Sequence, residues 1–176
     1  MKKLLLAVVL FVTTIASAQK GSVLLGGNVG FSSEKIGNTK AEDFEFSPKV
    51  GYQFTDNWTA GVEGSIVNSK ITGFGKSETY KIGGFVRYSI PLSETFAFYT
   101  DLGAGYQNTS LNNAKGMYAS LTPALFINVK RGFGLNFSIG GVNYDNLDGK
   151  NDPRQERFGF NFGKTFNFGI SKNFDL

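Results

Sequence analysis

Large apolar side chains alternate with small polar ones in short runs through most of this chain, and turn residues separate the runs. Such period-two patterning commits a segment to a strand with two unlike faces. Between residues 43 and 54, Phe44, Phe46, Val50, Tyr52 and Phe54 share one face, and Glu45, Ser47, Lys49, Gly51 and Gln53 share the other. Near the C-terminal end, Phe158, Phe160, Phe162, Phe166, Phe168 and Ile170 oppose Gly159, Asn161, Gly163, Thr165, Asn167 and Gly169. The chain carries 18 Phe and 23 Gly among 176 residues, yet its mean hydropathy is only −0.12. Alternation accounts for both: it keeps an aromatic-rich face out of any continuous apolar run.

Eight strands are predicted, over 22–32, 43–54, 58–68, 79–90, 95–107, 116–129, 133–144 and 157–174. No amphipathic helix, linker or second domain interrupts them. The connections Thr55-Asp56-Asn57, Pro91 to Glu94 and Lys130-Arg131-Gly132 are short, and those near 33–42, 69–78, 108–115 and 145–156 are longer and more charged. Short turns alternating with long loops predict an all-β fold: a closed up-and-down antiparallel β-barrel with long loops at one end. An even strand number brings both ends of the barrel to the short-turn side.

Residues 1–18 read as a cleavable signal peptide, leaving 19–176 as the barrel domain. Lys2 and Lys3 precede the apolar run Leu4 to Val12, and Ala16-Ser17-Ala18 forms a small-residue cleavage pattern before Gln19. The expected cut lies between Ala18 and Gln19. The apolar run is too short for a membrane helix, which needs about 20 residues. Without Lys2 and Lys3 the formal charge falls from +4 to about +2, and no basic stripe suggests nucleic acid. No Cys follows the apolar run, so a lipid anchor is not expected, and zero Cys excludes disulfides and thiolate metal sites.

Membrane barrels and soluble lipocalin-like carriers both alternate, and they differ in which face meets water. A solvated surface is commonly about 25–35% charged, whereas the polar face here is mostly Gly, Ser, Asn and Thr. Such residues suit the interior of a narrow barrel, which turns the aromatics toward lipid and makes the barrel a transmembrane one. Phe54, Trp58, Ile90, Phe96 and Phe133 fall beside short turns and Phe174 near the last strand's end, as a membrane-interface girdle would.

These residues also resemble a known family. Gly51-Tyr52-Gln53-Phe54-Thr55-Asp56-Asn57-Trp58, Gly84-Phe85-Val86-Arg87-Tyr88 and Phe168-Gly169-Ile170-Ser171-Lys172-Asn173-Phe174 are similar to strand signatures of the outer-membrane protein β-barrel domain family, the small OmpA/OmpX-like eight-stranded barrels. The resemblance implies a Gram-negative outer membrane, the Sec export and barrel-assembly machineries, and contact with outer-membrane lipids and lipopolysaccharide. In that family the closing strand commonly ends on an aromatic; here Asp175 and Leu176 follow Phe174.

The inward face holds Glu45, Lys49, Glu63, Lys81, Arg87 and Asp101. If Phe54 pairs with Trp58 across the turn, Lys49 falls opposite Glu63. Lys81 is then expected diagonal to Glu63, and Asp101 diagonal to Arg87, as an internal ion-pair network that either plugs the barrel or gates an ion path. The chain has no His, which removes Ser-His-Asp chemistry and the commonest general base, so no enzyme, cofactor or catalytic residue is expected. Gly75-Lys76-Ser77 lacks the upstream Gly of a phosphate loop, since that position is Lys70. Asn146-Leu147-Asp148-Gly149 lacks calcium ligands at Tyr144 and Gln155, so Asp145, Asp148 and Asp152 are expected in a solvated loop. Lys164 and Lys172 fall on the apolar face and are expected at the outer and inner headgroups respectively. The reading is a monomeric, non-enzymatic outer-membrane barrel with a structural or surface-interaction role through its loops. The alternatives are a narrow conduit and an exported soluble carrier of a hydrophobic ligand.

Overall fold

The computed structural model describes residues 21–36, 39–73, 75–110, 113–149 and 154–175. Eight strands, β1 (Ser22–Ile36), β2 (Thr39–Gln53), β3 (Trp58–Ile71), β4 (Gly75–Pro91), β5 (Phe96–Thr109), β6 (Lys115–Lys130), β7 (Phe133–Asp148) and β8 (Gln155–Asp175), follow one another around the wall. Each pairs antiparallel with its sequence neighbour, and β8 returns to pair with β1, so the barrel is closed. The expected cleavage residues Ala18 and Gln19 lie outside the described residues, as does the side chain of Lys164.

Two of the short turns are built alike. In Thr55-Asp56-Asn57-Trp58 the Thr55 hydroxyl accepts from the Trp58 N–H at 3.0 Å, while the Trp58 carbonyl accepts from the Phe54 N–H at 3.0 Å. In Ser93-Glu94-Thr95-Phe96 the Ser93 hydroxyl accepts from the Phe96 N–H at 3.0 Å, and the Phe96 carbonyl from the Leu92 N–H at 2.8 Å. A hydroxyl at the first turn position satisfies backbone donors that the ladder cannot reach. The third short turn uses left-handed backbone instead, with Arg131 at φ 48° and Gly132 at φ 75°, a pairing that matches strand twist.

The opposite end departs from the sequence expectation. Among the described residues, the segments 33–42, 69–78 and 145–156 are largely strand rather than open loop, whereas 108–115 holds the expected loop, between Thr109 and Lys115. Their ladders run up to Ile36↔Thr39, Ile71↔Gly75, Asn108↔Lys115 and Leu147↔Gln155. The strands are therefore 14 to 21 residues long, against the 9–11 or so that cross a bilayer. Charge in these segments marks the solvated wall of protruding hairpins. Exposed pairs two residues apart on the same face line it, among them Lys40–Glu42 at 2.5 Å, Lys76–Glu78 at 2.8 Å and Arg154–Glu156 at 3.1 Å.

The faces sort as the alternation requires. Val29, Phe31, Val62, Ile82, Leu102, Met117, Phe160 and Phe168 point outward and are exposed, while Leu24, Phe85, Tyr99, Tyr118, Arg87, Asp101, Asn136 and Ser171 are buried inside. Phe54, Trp58, Ile90, Phe96, Phe133 and Phe174 are all exposed at the short-turn end, where Trp58 packs on Tyr88 with ring centroids 4.8 Å apart. Lys172, beside them, donates to the Arg131 carbonyl and lies 5.6 Å from the Phe174 ring centroid. An apolar belt around a polar, charged interior inverts the order of a soluble carrier, whose lumen must be apolar to hold a hydrophobic ligand.

Candidate functional site

The site is the lumen, and turn geometry positions its charges. The Phe54–Trp58 closure sets the β2–β3 register so that Lys49 stands opposite Glu63, and their side chains meet at 2.9 Å. Lys49 also reaches Asp101 at 2.9 Å. Arg87 forks onto Asp101, with Nε at 2.6 Å and Nη2 at 2.9 Å from its two oxygens. A two-pronged guanidinium–carboxylate contact is the strong form of such a pair.

Three particulars differ from the sequence expectation. Asp101 sits directly opposite Arg87, not diagonal to it, because β4 stays in the ladder through Pro91, which pairs with Ala97. Lys81 does lie diagonal to Glu63, across from Ser65, but its ion partner is Asp145, 2.8 Å away on β7. Glu45 forms no ion pair among the described residues; it accepts from the Ser47 hydroxyl at 2.6 Å.

Asp145 was expected in a loop. It reaches the lumen because β7 carries an extra residue between Ser138 and Val142, where the pairing with β6 slips. Before the slip the even residues Asn136 and Ser138 face inward; after it the odd residues Asn143 and Asp145 do. Gly140, at φ 120°, lies in this bulge, so an adjacent pair of glycines inside an apolar run was the available signal.

Aromatic rings also enter the lumen, where the sequence places mostly small polar groups. The Arg87 guanidinium carbon lies 3.7 Å from the Tyr99 ring centroid, with Phe85 at 6.0 Å on another side. Lys49 lies 5.0 Å from the Phe85 ring centroid, and Lys81 5.1 Å from that of Tyr118. Tyr118 donates its hydroxyl to Glu63 at 3.0 Å. Tyr99 donates to Asn136 at 3.1 Å, and Asn136 to Ser171 at 3.0 Å. The result is one chain of contacts from Asp145 through Lys81, Tyr118, Glu63, Lys49, Asp101, Arg87, Tyr99 and Asn136 to Ser171. Among the described residues no buried side-chain nitrogen or oxygen lacks a partner. That completeness matters, because an unpaired charge in such a site costs several kcal/mol.

Room for this crossing comes from missing side chains in the wall. A Cβ at Gly103 would fall 2.3 Å from Glu63 Oε1 and 3.0 Å from the Ser120 hydroxyl. Beside the crossing lies a cavity of about 370 Å³ lined by Asn28, Glu45, Ser47, Ser65, Ser138 and Asn167 among others. The arrangement can hold charge and fill space. Among the described residues no group of His, Cys, Asp and Glu could hold a metal ion.

The outer membrane protein beta-barrel domain family matches residues 4–166. Among solved structures, the outer membrane protein OprG from Pseudomonas aeruginosa is 14% identical, with 89% of this chain and 97% of that chain covered at a TM-score of 0.49. Ail from Yersinia pestis is 17% identical (89% and 99% covered, TM-score 0.43), and outer membrane protein W from E. coli 13% identical (89% and 98%, TM-score 0.46). No curated protein matches the chain.

Proposed function

Since the chain belongs to the outer membrane protein beta-barrel domain family, we propose that it is a non-enzymatic barrel of the Gram-negative outer membrane, exported through a signal peptide cut between Ala18 and Gln19. It would act as a rigid scaffold that presents its protruding hairpins at the cell surface, in envelope integrity, adhesion or defence. The observation that carries this reading is the exposed apolar belt around a charged, fully partnered lumen. Lipids and lipopolysaccharide would contact the belt, and the barrel-assembly machinery would insert it as a monomer. Fractionation and heat-modifiable migration on SDS gels test this: a compact band in the outer-membrane fraction is expected, and release by osmotic shock would sink the proposal.

A second reading, a narrow ion path gated by the network, draws on the 370 Å³ cavity beside it. Complete ion pairing favours the plug instead. Planar-bilayer recordings separate the two: no channels are expected from the wild type or from Glu63→Ala, whereas channels opened by Glu63→Ala would favour the gate.

A further inference from the structure

Pro48 stands in the middle of β2, inside the barrel wall. The Trp58 carbonyl accepts from the Phe54 N–H at 3.0 Å, so Phe54 and Trp58 form a hydrogen-bonded pair of the β2–β3 ladder. Such pairs recur at every second position of an antiparallel ladder. Tyr52↔Ala60, Val50↔Val62 and Phe46↔Ile66 keep that register, and the place between the last two sets Pro48 opposite Gly64. There the Gly64 carbonyl faces a nitrogen that carries no hydrogen, so the ladder gives this acceptor no donor. The Ser47 hydroxyl beside it donates to Glu45, 2.6 Å away. Gly64 lies six residues above Trp58, or about 15 Å up a strand tilted about 40°. That is inside an apolar belt about 25 Å tall and toward its outer leaflet, where water is scarce and an unanswered carbonyl is costly.

Even-numbered residues of β2 and β3 face outward, so Pro48 and Gly64 both open to the lipid side. A hollow of about 580 Å³ lies over them, walled by Phe46, Val50, Val62, Ile66, Ile82 and Tyr106. Within 4 Å a Cβ at Gly64 would meet only the Lys81 carbonyl oxygen at 3.7 Å and Pro48 Cγ at 3.9 Å. No side chain therefore covers the Gly64 carbonyl from outside. The hollow has the volume of a site for one small ligand, which suits a single chain and not a lipid of several chains. Its chemistry is an apolar trough with a hydrogen-bond acceptor at its base.

We propose that this hollow on the outer wall binds a fatty acid carrying a hydroxyl partway along its chain. The hydroxyl donates to the Gly64 carbonyl in place of the N–H that Pro48 lacks, and the methylenes lie against Phe46, Ile66, Ile82 and Tyr106. Selectivity for the hydroxyl follows from the acceptor, because a plain chain fills the same space and leaves the carbonyl unanswered. The proposal rests on the membrane-barrel reading, since only an outer wall in lipid meets such a ligand.

The test uses the full barrel in phosphatidylcholine vesicles, with Trp58→Phe removing the one native Trp and Tyr106→Trp placing a reporter in the wall of the hollow. Dibrominated ricinoleic acid and dibrominated oleic acid, which differ by one mid-chain hydroxyl, are compared as quenchers. The hydroxylated acid is expected to quench at about five- to tenfold lower content, the factor that one net hydrogen bond gives. Pro48→Ala restores the N–H and should remove that preference. Gly64→Leu fills the hollow and should leave only weak, equal quenching from the surrounding bilayer. Equal quenching of the parent by both acids, as lumen water reaching the carbonyl would produce, overturns the proposal. So does a preference that survives Pro48→Ala or Gly64→Leu. Heat-modifiability is read on every variant: a parent barrel with no folded band in vesicles would overturn the membrane reading itself, which equal quenching of a folded barrel would not. If only Tyr106→Trp fails to fold, Tyr80→Trp beside the same hollow reports the same outcomes.

Discussion

The half of the barrel near the short turns and the half near the protruding hairpins are made from the same alternating strands but are held differently. Near the turns all eight ladders are present, including β1–β8. There Arg87 and Asp101, 8% and 5% exposed, are locked to each other and to rings. Toward the hairpins, among the described residues, the β1–β8 ladder ends at Asn28↔Gly169, and the pairs Lys40–Glu42 and Lys76–Glu78 lie at the surface. The contrast teaches where charge matters: pairing counts for most where water cannot replace a lost partner.

Breaking the buried fork should have the largest effect. Arg87→Met leaves Asp101 with Lys49 alone, and a loss of about 3–5 kcal/mol is expected, read from urea unfolding in detergent micelles. Arg87→Met combined with Asp101→Leu should recover most of it, since no orphaned charge remains; a double variant no better than the single one would show that the fork itself is favourable. Gly103→Val comes next. Its side chain must displace Glu63 and Ser120, and overpacking of this kind costs about 1–3 kcal/mol, visible as a lower melting temperature of the compact gel band.

The same measurement on Gly140→Ala tests the bulge. A side chain at φ 120° is strained, and a Cβ there would lie 2.2 Å from the Asn161 carbonyl oxygen. A destabilisation of about 1–3 kcal/mol is expected from the backbone strain; an unchanged midpoint would mean that the bulge does not require glycine at this position.

The smallest effect is expected at the hairpin end, well above the belt. Hydrogen bonds from Lys76 and the Tyr80 hydroxyl, with the Lys76 charge, hold the Glu78 carboxyl below its ordinary value of 4.5. A lowered carboxylate value means that its contribution is present above that range and fades as pH falls through the lowered value. Because Glu78 is open to water, Glu78→Gln should leave the unfolding midpoint at pH 7 unchanged. A clear loss there would erase the contrast between the two ends.

Much of this is legible in the amino-acid sequence. Period two assigns each residue of β2, β4 and β5 to a face, and the Phe54–Trp58 turn sets Lys49 against Glu63 by counting alone. The misplacements share a cause. Asp145 was hidden by a bulge, a single extra residue that reverses every later side chain. The Arg87–Asp101 register depended on whether Pro91 stayed in the ladder. The hairpin arms at 33–36, 39–42, 69–71 and 75–78 pass for loops because a solvated strand wall has the composition of a loop.

The amino-acid sequence by itself determined that the chain forms two-faced strands, that short turns gather at one end, and that acids and bases share the inner face. Those properties follow from local periodicity and turn chemistry, which need no distant partner. Only the tertiary structure decided which charges meet, that Phe85, Tyr99 and Tyr118 fill the lumen between them, and that Asp145 turns inward. Each of these depends on register summed around a closed wall, where one bulge in β7 or β8 shifts everything beyond it.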